Sequence, residues 1–266
     1  MSEKISFIIA AYNEEKFIRS CIKSCLDQEY ENIEVCVTDD GSNDKTWEIL
    51  NSLKSDKVII SRFEKNKGKV FAFNQSFSMA TGEYFAVIGA DDVNLPDRVD
   101  KQLSFLKKHN LDLTWGEFIH IDSSGDDLPE YHSPMKRAPS KCDILQDNFI
   151  PGNAILFNKS LADVIFPIPD YLKFEDWWIG FNTVFSFKYM FLSEPVIKYR
   201  IHSNNTVGNN SGDYASLRRR NIKRHIDYHK LFNIELSKKT KFKKYIRLNK
   251  LVENYKLACL NDSFFF

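Results

Sequence analysis

Ile5-Ser6-Phe7-Ile8-Ile9-Ala10 and Ile33-Glu34-Val35-Cys36-Val37-Thr38 are the two runs whose reading decides the fold. Each is short, mostly apolar and bounded by polar turn residues, which reads as a buried strand. Between them, from Glu14 to Gln28, Phe17, Ile18, Cys21, Ile22, Cys25 and Leu26 recur at helical spacing. Working outward, the spacing predicts a helix over Thr46–Leu53, a strand at Val58–Ile60, a helix over Val70–Ala80 and a strand at Tyr84–Ile88. Pro96 suits the first turn of a further helix reaching His109. Strands alternating with helices imply βαβ units and a mostly parallel central sheet flanked by helices, an α/β fold.

Ligands on such sheets bind beyond the carboxyl ends of the strands. Three of the four predicted strands end there in polar loops: Tyr12-Asn13-Glu14, Asp39-Asp40-Gly41-Ser42 and Gly89-Ala90-Asp91-Asp92. Past residue 110 the pattern loosens. Leu111–Ile121, Ala154–Phe157 and Val196–Ile201 read as strands, Asp122–Ser140 as a loop and Phe174–Phe187 as an aromatic-rich helix. From Tyr214 two basic helices follow, split near Asn233.

The length of 266 residues suits one large α/β domain with a helical extension. No apolar run approaches the roughly 18 residues of a membrane span, and the first apolar run is too short for a signal-peptide core. Five cysteines (Cys21, Cys25, Cys36, Cys142, Cys259) without a C-x-x-C pair suggest reduced thiols and a cytoplasmic protein. With 22 Phe the aromatic residues mostly serve the core, although Tyr and Trp near loop ends offer stacking surfaces for a ring-shaped ligand.

Adjacent carboxylates at a strand terminus, Asp91-Asp92, either hold Mg²⁺ or Mn²⁺ through oxygen ligands or cap the helix behind Pro96. Asp39-Asp40-Gly41-Ser42 either caps backbone N–H groups or offers a carboxylate to a nucleobase N–H. Glu175-Asp176-Trp177-Trp178 places acids beside bulky rings. A carboxylate beside Trp rings can have a raised pKa through desolvation, which suits a general base; the alternative is acids that favour a helix N-terminus followed by core Trp. Tyr199-Arg200-Ile201-His202 offers an Arg for phosphate and a His for a metal, or two structural residues. No Walker loop, G-x-G-x-x-G, H-E-x-x-H or G-x-S-x-G is present.

In order and spacing these pieces resemble a family 2 glycosyltransferase of the GT-A type. The resemblance runs through Ser6–Glu14, Val37–Thr46, Asn66-Lys67-Gly68, Ala80–Tyr84, Asp91-Asp92, Pro96-Asp97-Arg98, Gly152-Asn153, Glu175-Asp176 and Tyr199–Ser203. It implies an inverting, metal-dependent enzyme using a nucleotide-diphosphate sugar, UDP-linked by expectation, with Mn²⁺ or Mg²⁺ as cofactor. It places Ala10 and Tyr12 at the base, Tyr12 stacking, with Glu14 in the same loop. Asp40 accepts from the base N3–H, and Lys69 lies near the base or phosphates. Asp91 sits by the ribose and metal, Asp92 binds the metal and His202 completes the metal or diphosphate site. Asp176 resembles the general base, with Trp177 and Trp178 as a platform under a sugar ring. Two departures stand out: Ala11 replaces the usual Pro, and Gly89 occupies a position often held by an acid. The implied acceptor is a hydroxyl of a glycan or lipid-diphosphate-linked saccharide, in bacterial surface-polysaccharide synthesis.

Two other functions compete. A nucleotidyltransferase making a nucleotide-sugar opens with a Gly-rich phosphate loop, which Ala10-Ala11-Tyr12-Asn13 lacks. A non-catalytic binding module would use the basic arm, but no nucleic-acid recognition motif accompanies it. Residues 218–250 carry 13 Lys/Arg against Asp227 and Glu235, a local +11 on a chain of net +1. Residues 1–210 are expected to form the transferase domain, 1–110 binding the nucleotide-sugar and 111–210 the acceptor, with 211–266 as the extension. Ile222, Ile226, Leu231, Phe232, Phe242, Tyr245, Ile246 and Leu248 mark an apolar stripe on that arm. Three readings follow for it: peripheral contact with an anionic membrane at the inner face of the cell, packing on the domain, or assembly into an oligomer.

Overall fold

In the computed structural model, residues 2–129, 137–202 and 214–261 are described, with backbone alone at 214–224 and 258–261. Eight strands, β1 (Ile5–Ala11), β2 (Ile33–Asp39), β3 (Val58–Arg62), β4 (Tyr84–Val87), β5 (Val93–Asn94), β6 (Leu113–Ile121), β7 (Ile155–Asn158) and β8 (Tyr189–Arg200), form one sheet. Their order is β3-β2-β1-β4-β7-β6-β8-β5. β1 to β4 are mutually parallel, β6 pairs parallel with β8, and β7 and β5 run against their neighbours. The strands are thus mostly parallel, as the alternating pattern predicts.

Side-chain alternation along β1 feeds two cores. Phe7 and Ile9 face a layer with α1 (Ile18–Leu26), α2 (Thr46–Leu53) and α4 (Arg98–His109). Ile8 faces the opposite layer with α3 (Lys69–Met79), α5 (Lys141–Ile144), α6 (Lys159–Ile165) and α7 (Asp176–Ser186). Two helices follow, α8 (Tyr214–Ser237) and α9 (Lys243–Asn261), joined through a 3-10 turn at Thr240–Phe242. The break falls at residues 238–239 rather than near Asn233, because Leu236 is buried in the same core as Phe232 and keeps the helix in contact.

Three elements escaped the sequence pattern. β5 is two residues long, α5 four, and α6 follows β7 directly. Helix α1 begins at Ile18, not Glu14. Asn13 takes a left-handed conformation with φ 57°, and side chains of the next loop take the free amides. Asn13 N donates to Ser42 Oγ at 2.8 Å, Glu14 N to Thr46 Oγ1 at 2.7 Å and Glu15 N to Asp44 Oδ2 at 3.0 Å.

The apolar stripe of the arm is consumed by packing. Ile226, Leu231, Phe232 and Phe242 are buried, and Tyr245, Ile246 and Leu248 lie against the core; the Ile222 side chain lies outside the described residues. Phe232 stacks on Phe181 with centroids 4.0 Å apart. Burying such a side chain contributes about 1.5–3 kcal/mol, so this packing holds the arm against the body. Among the described residues no helix is long and apolar enough to cross a membrane.

Candidate active site

All segments of the site meet at one edge of the sheet. The carboxyl ends of β1, β2, β4, β6 and β8 point there, as do the amino ends of the reversed strands β5 and β7. The short β5–β8 pairing, Val93 with Lys198 and Asn94 with Ile197, sets Asp91-Asp92 beside Arg200 and His202.

One cavity of about 290 Å³ is lined by Ala10, Tyr12, Glu14, Asp40, Lys69 and Asp91, the six residues expected around the nucleotide. A second, of about 260 Å³, shares Lys69 and Asp91 and adds Asp92, Asn153, Glu175 and Asp176. His202 and Arg200 line a third, of about 920 Å³, on the other side of Glu14.

Asp40 is buried, and both its oxygens are engaged. Oδ1 accepts from Lys67 N at 2.7 Å and Oδ2 from Gly68 N at 2.8 Å. It therefore holds the β3–α3 loop over the cavity, and each oxygen keeps a second lone pair. Gly68 has φ 108°, a conformation that favours glycine, which lets the chain turn directly into α3.

Asp92 is also buried. Its Oδ1 accepts from Arg200 N at 2.9 Å and its Oδ2 from Asn153 Nδ2 at 2.7 Å. Burial and the neighbouring Asp91 charge push its carboxyl up to about 7. Glu14 is pushed up to about 8 by burial, then by Asp91, Asp44 and Asp92. Burial and neighbouring negative charge thus make ionising Glu14 and Asp92 costly.

The glycine at position 89 has a steric reason. A Cβ built there lies 2.7 Å from both Asp91 Oδ1 and Asp92 Oδ2. The two carboxylates converge on the space that any side chain would fill. Two hard oxygen donors facing one gap fit Mg²⁺ or Mn²⁺ completed by phosphate oxygens. No group of three or more His, Cys, Asp or Glu is arranged to hold a metal among the described residues.

His202 Nε2 lies 3.1 Å from Asp91 Oδ2, beside the acid pair, and its ring packs on Phe17. The Arg200 guanidinium is engaged with backbone carbonyls. Nε donates to the Asp91 carbonyl at 2.8 Å and Nη1 to the Asp122 carbonyl at 2.9 Å, bracing the two loops. Trp177 and Trp178 are not a sugar platform. Both are buried, their indole N–H groups donating to the carbonyls of Ile144 and Ile165. Their apolar neighbours, among them Tyr228 and Phe181, explain why the aromatics of α7, at helical spacing, serve the core.

Asp176 opens α7, with Oδ1 accepting from Trp177 N at 2.7 Å. Glu175, buried beside it, forms an ion pair with Lys69 at 2.9 Å that the sequence did not suggest. Burial works against the Lys69 charge, yet Glu175 outweighs it and the pKa is raised. Gly152 faces both acids: a Cβ there would lie 3.1 Å from Asp176 Cβ and 3.2 Å from Glu175 Oε1.

The sequence pattern of glycosyl transferase family 2 matches residues 6–166, which contain the β1, β2 and β4 loops just described. An uncharacterized glycosyltransferase of Nostoc sp. is 31% identical over 219 residues, 76% of this chain and 66% of that protein. The chain belongs to glycosyl transferase family 2. Also similar is the Escherichia coli UDP-Glc:alpha-D-GlcNAc-diphosphoundecaprenol beta-1,3-glucosyltransferase WfaP, 33% identical over 116 residues, 44% of this chain and 46% of that one. The chain spans about half to two thirds of the length of these two curated relatives. Among solved structures, S. aureus TarS 1–349 in complex with UDP-GlcNAc superposes with a TM-score of 0.71 at 18% identity, over 96% of this chain and 71% of TarS. The fold of this family 2 chain is accordingly of the GT-A type.

Proposed function

We propose that this family 2 chain transfers a sugar, with inversion, from a UDP-sugar to a hydroxyl of a glycan or lipid-linked acceptor. The observation that carries this reading is the placing of Ala10, Tyr12, Glu14, Asp40, Lys69 and Asp91 around one cavity that shares Lys69 and Asp91 with the cavity of Asp92 and Asp176. The UDP-GlcNAc named for the TarS structure and the UDP-Glc named for WfaP support the choice of donor.

Tyr12 offers its ring to the base, and Asp40 offers its remaining lone pairs to a base N–H while holding Lys67 and Gly68 in place. Asp91 and Asp92 would hold a divalent cation, which when bound neutralises charge on the departing diphosphate. Lys69 faces the same charge. Asp176 accepts the proton of the acceptor hydroxyl that attacks the anomeric carbon from the side opposite the nucleotide. Residues 1–210 act as the transferase unit in this reading, with 211–266 as a helical extension that buttresses α7.

Calorimetric titration with UDP tests the donor site. Affinity is expected to rise with Mn²⁺, and Asp92→Asn is expected to remove that dependence with the fold intact. UDP affinity identical in Mn²⁺ and in EDTA would remove the cation from the reading.

A further inference from the structure

Beside the nucleotide cavity lies another cleft, of about 370 Å³, between the start of α3 and the loop before α7. Its volume is within the range of ligand sites, about 300–1,000 Å³. Gly68, Lys69 and Phe174 line both clefts, so the two adjoin. Lys69 also lines the cavity of Asp176.

The wall of this cleft carries two exposed rings. Nine large apolar side chains are exposed among the described residues. Two of them, Phe71 at 37% and Tyr171 at 61%, come from different segments and line this one cleft. Single exposed apolar residues are ordinary; two exposed rings lining one cleft give it an apolar wall on which a ligand ring can lie. Phe71 sits on α3 and Tyr171 on the loop, and the α7 aromatics beyond them are all turned into the core. Asp170 and Lys173 stand on the same wall, an acceptor and a donor of hydrogen bonds.

We infer that this cleft is a subsite for the acceptor saccharide, with sugar rings lying on Phe71 and Tyr171. A pyranose presents an apolar C–H face and a rim of hydroxyls. Aromatic faces take the former, and Asp170 and Lys173 take the latter. The shared wall with the nucleotide cavity is what selects an acceptor over an unrelated ligand: Lys69 lines this cleft, the nucleotide cavity and the cavity of Asp176. The inference rests on the transferase reading for the identity of the occupant, and it names aromatic residues that the donor chemistry does not use.

The test is ligand-observed NMR by saturation transfer on the full chain, free and loaded with UDP. The probes are four disaccharides: chitobiose, cellobiose, maltose and lactose. At least one is expected to receive saturation from the wild type. Tyr171→Ala and Phe71→Ala are each expected to weaken it about three- to ten-fold, the worth of one lost ring contact. Tyr171→Trp, which restores a ring, is expected to regain binding, whereas a merely structural role would not respond to ring identity. UDP affinity in the same samples reports the donor site. Disaccharides that all fail to bind the wild type, or that bind the alanine variants equally well, overturn the subsite. Failure of UDP to bind counts against the donor reading alone, because the cleft is then judged on the free chain.

Discussion

Gly89→Ala probes the convergence of the two carboxylates with a single methyl group. The new Cβ falls 2.7 Å from Asp91 Oδ1 and Asp92 Oδ2, whereas ordinary contact begins at 3.4 Å, so both oxygens must retreat by about 0.7 Å. Gly89 does not occupy the left-handed region, so the backbone accepts alanine and the cost is steric. Asp92 cannot retreat without lengthening its bonds from Arg200 N and Asn153 Nδ2. Forced overpacking of this kind costs about 1–3 kcal/mol. At roughly 2–4 °C per kcal/mol for a chain near this size, the melting temperature should fall by about 2–12 °C. Thermal unfolding in EDTA measures that fall, and UDP titration with and without Mn²⁺ measures the damaged cation gap. A melting temperature and a Mn²⁺ response both equal to wild type would refute the geometry.

Charge in the same cluster predicts a pH response. Free Asp and Glu ionise near 4, while Glu14 and Asp92 hold their protons to about 8 and about 7 in the folded chain. Folding therefore binds protons in that window, and these groups make the metal-free chain less stable as pH rises from about 4.5 to about 8. Glu14→Gln should flatten the upper part of the slope; a denaturation series in EDTA with identical slopes for both proteins would contradict this. Asp40→Asn places an amide against one of the amides of Lys67 and Gly68, so UDP affinity should drop with the loop. In the wild type UDP should outbind CDP by roughly 1–3 kcal/mol, the value of one charge-assisted hydrogen bond, and equal affinities in calorimetry would exclude Asp40 as the reader of the base. Phe232→Ala should cost about 3–5 kcal/mol because its ring is stacked and buried on Phe181. A change below 1 kcal/mol in denaturant unfolding would show that the helical extension is only loosely attached.

The first half of the fold was legible because buried parallel strands are continuous apolar runs and their helices keep strict spacing. Thr46–Leu53 is found with the bounds its pattern predicts. What the pattern hid depends on partners distant in sequence. β5 is defined by Val93 and Asn94 meeting Lys198 and Ile197, and two residues carry no periodicity. The strand read from Val196 begins at Tyr189, since Ser193-Glu194-Pro195 looks like a turn but lies where β6 and β8 shift register near Glu117. In the candidate site, Asp92 and Asp176 stood out as acids at element ends. Arg200 as a brace, and Glu175 as the partner of Lys69, did not, because both roles come from loops about 110 residues away in sequence. The tryptophans misled for the same reason: nothing beside them in sequence shows that α8 covers Trp177.

The most direct measurement is nucleotide release from UDP-, GDP-, CMP- and dTDP-sugars in Mn²⁺, for the wild type and for Asp176→Asn. The wild type is expected to turn over a UDP-sugar, and Asp176→Asn to slow it by about 10²–10⁴-fold while UDP still binds. No release from any of the four donors, or an Asp176→Asn variant as fast as the wild type, would contradict the proposed transferase chemistry.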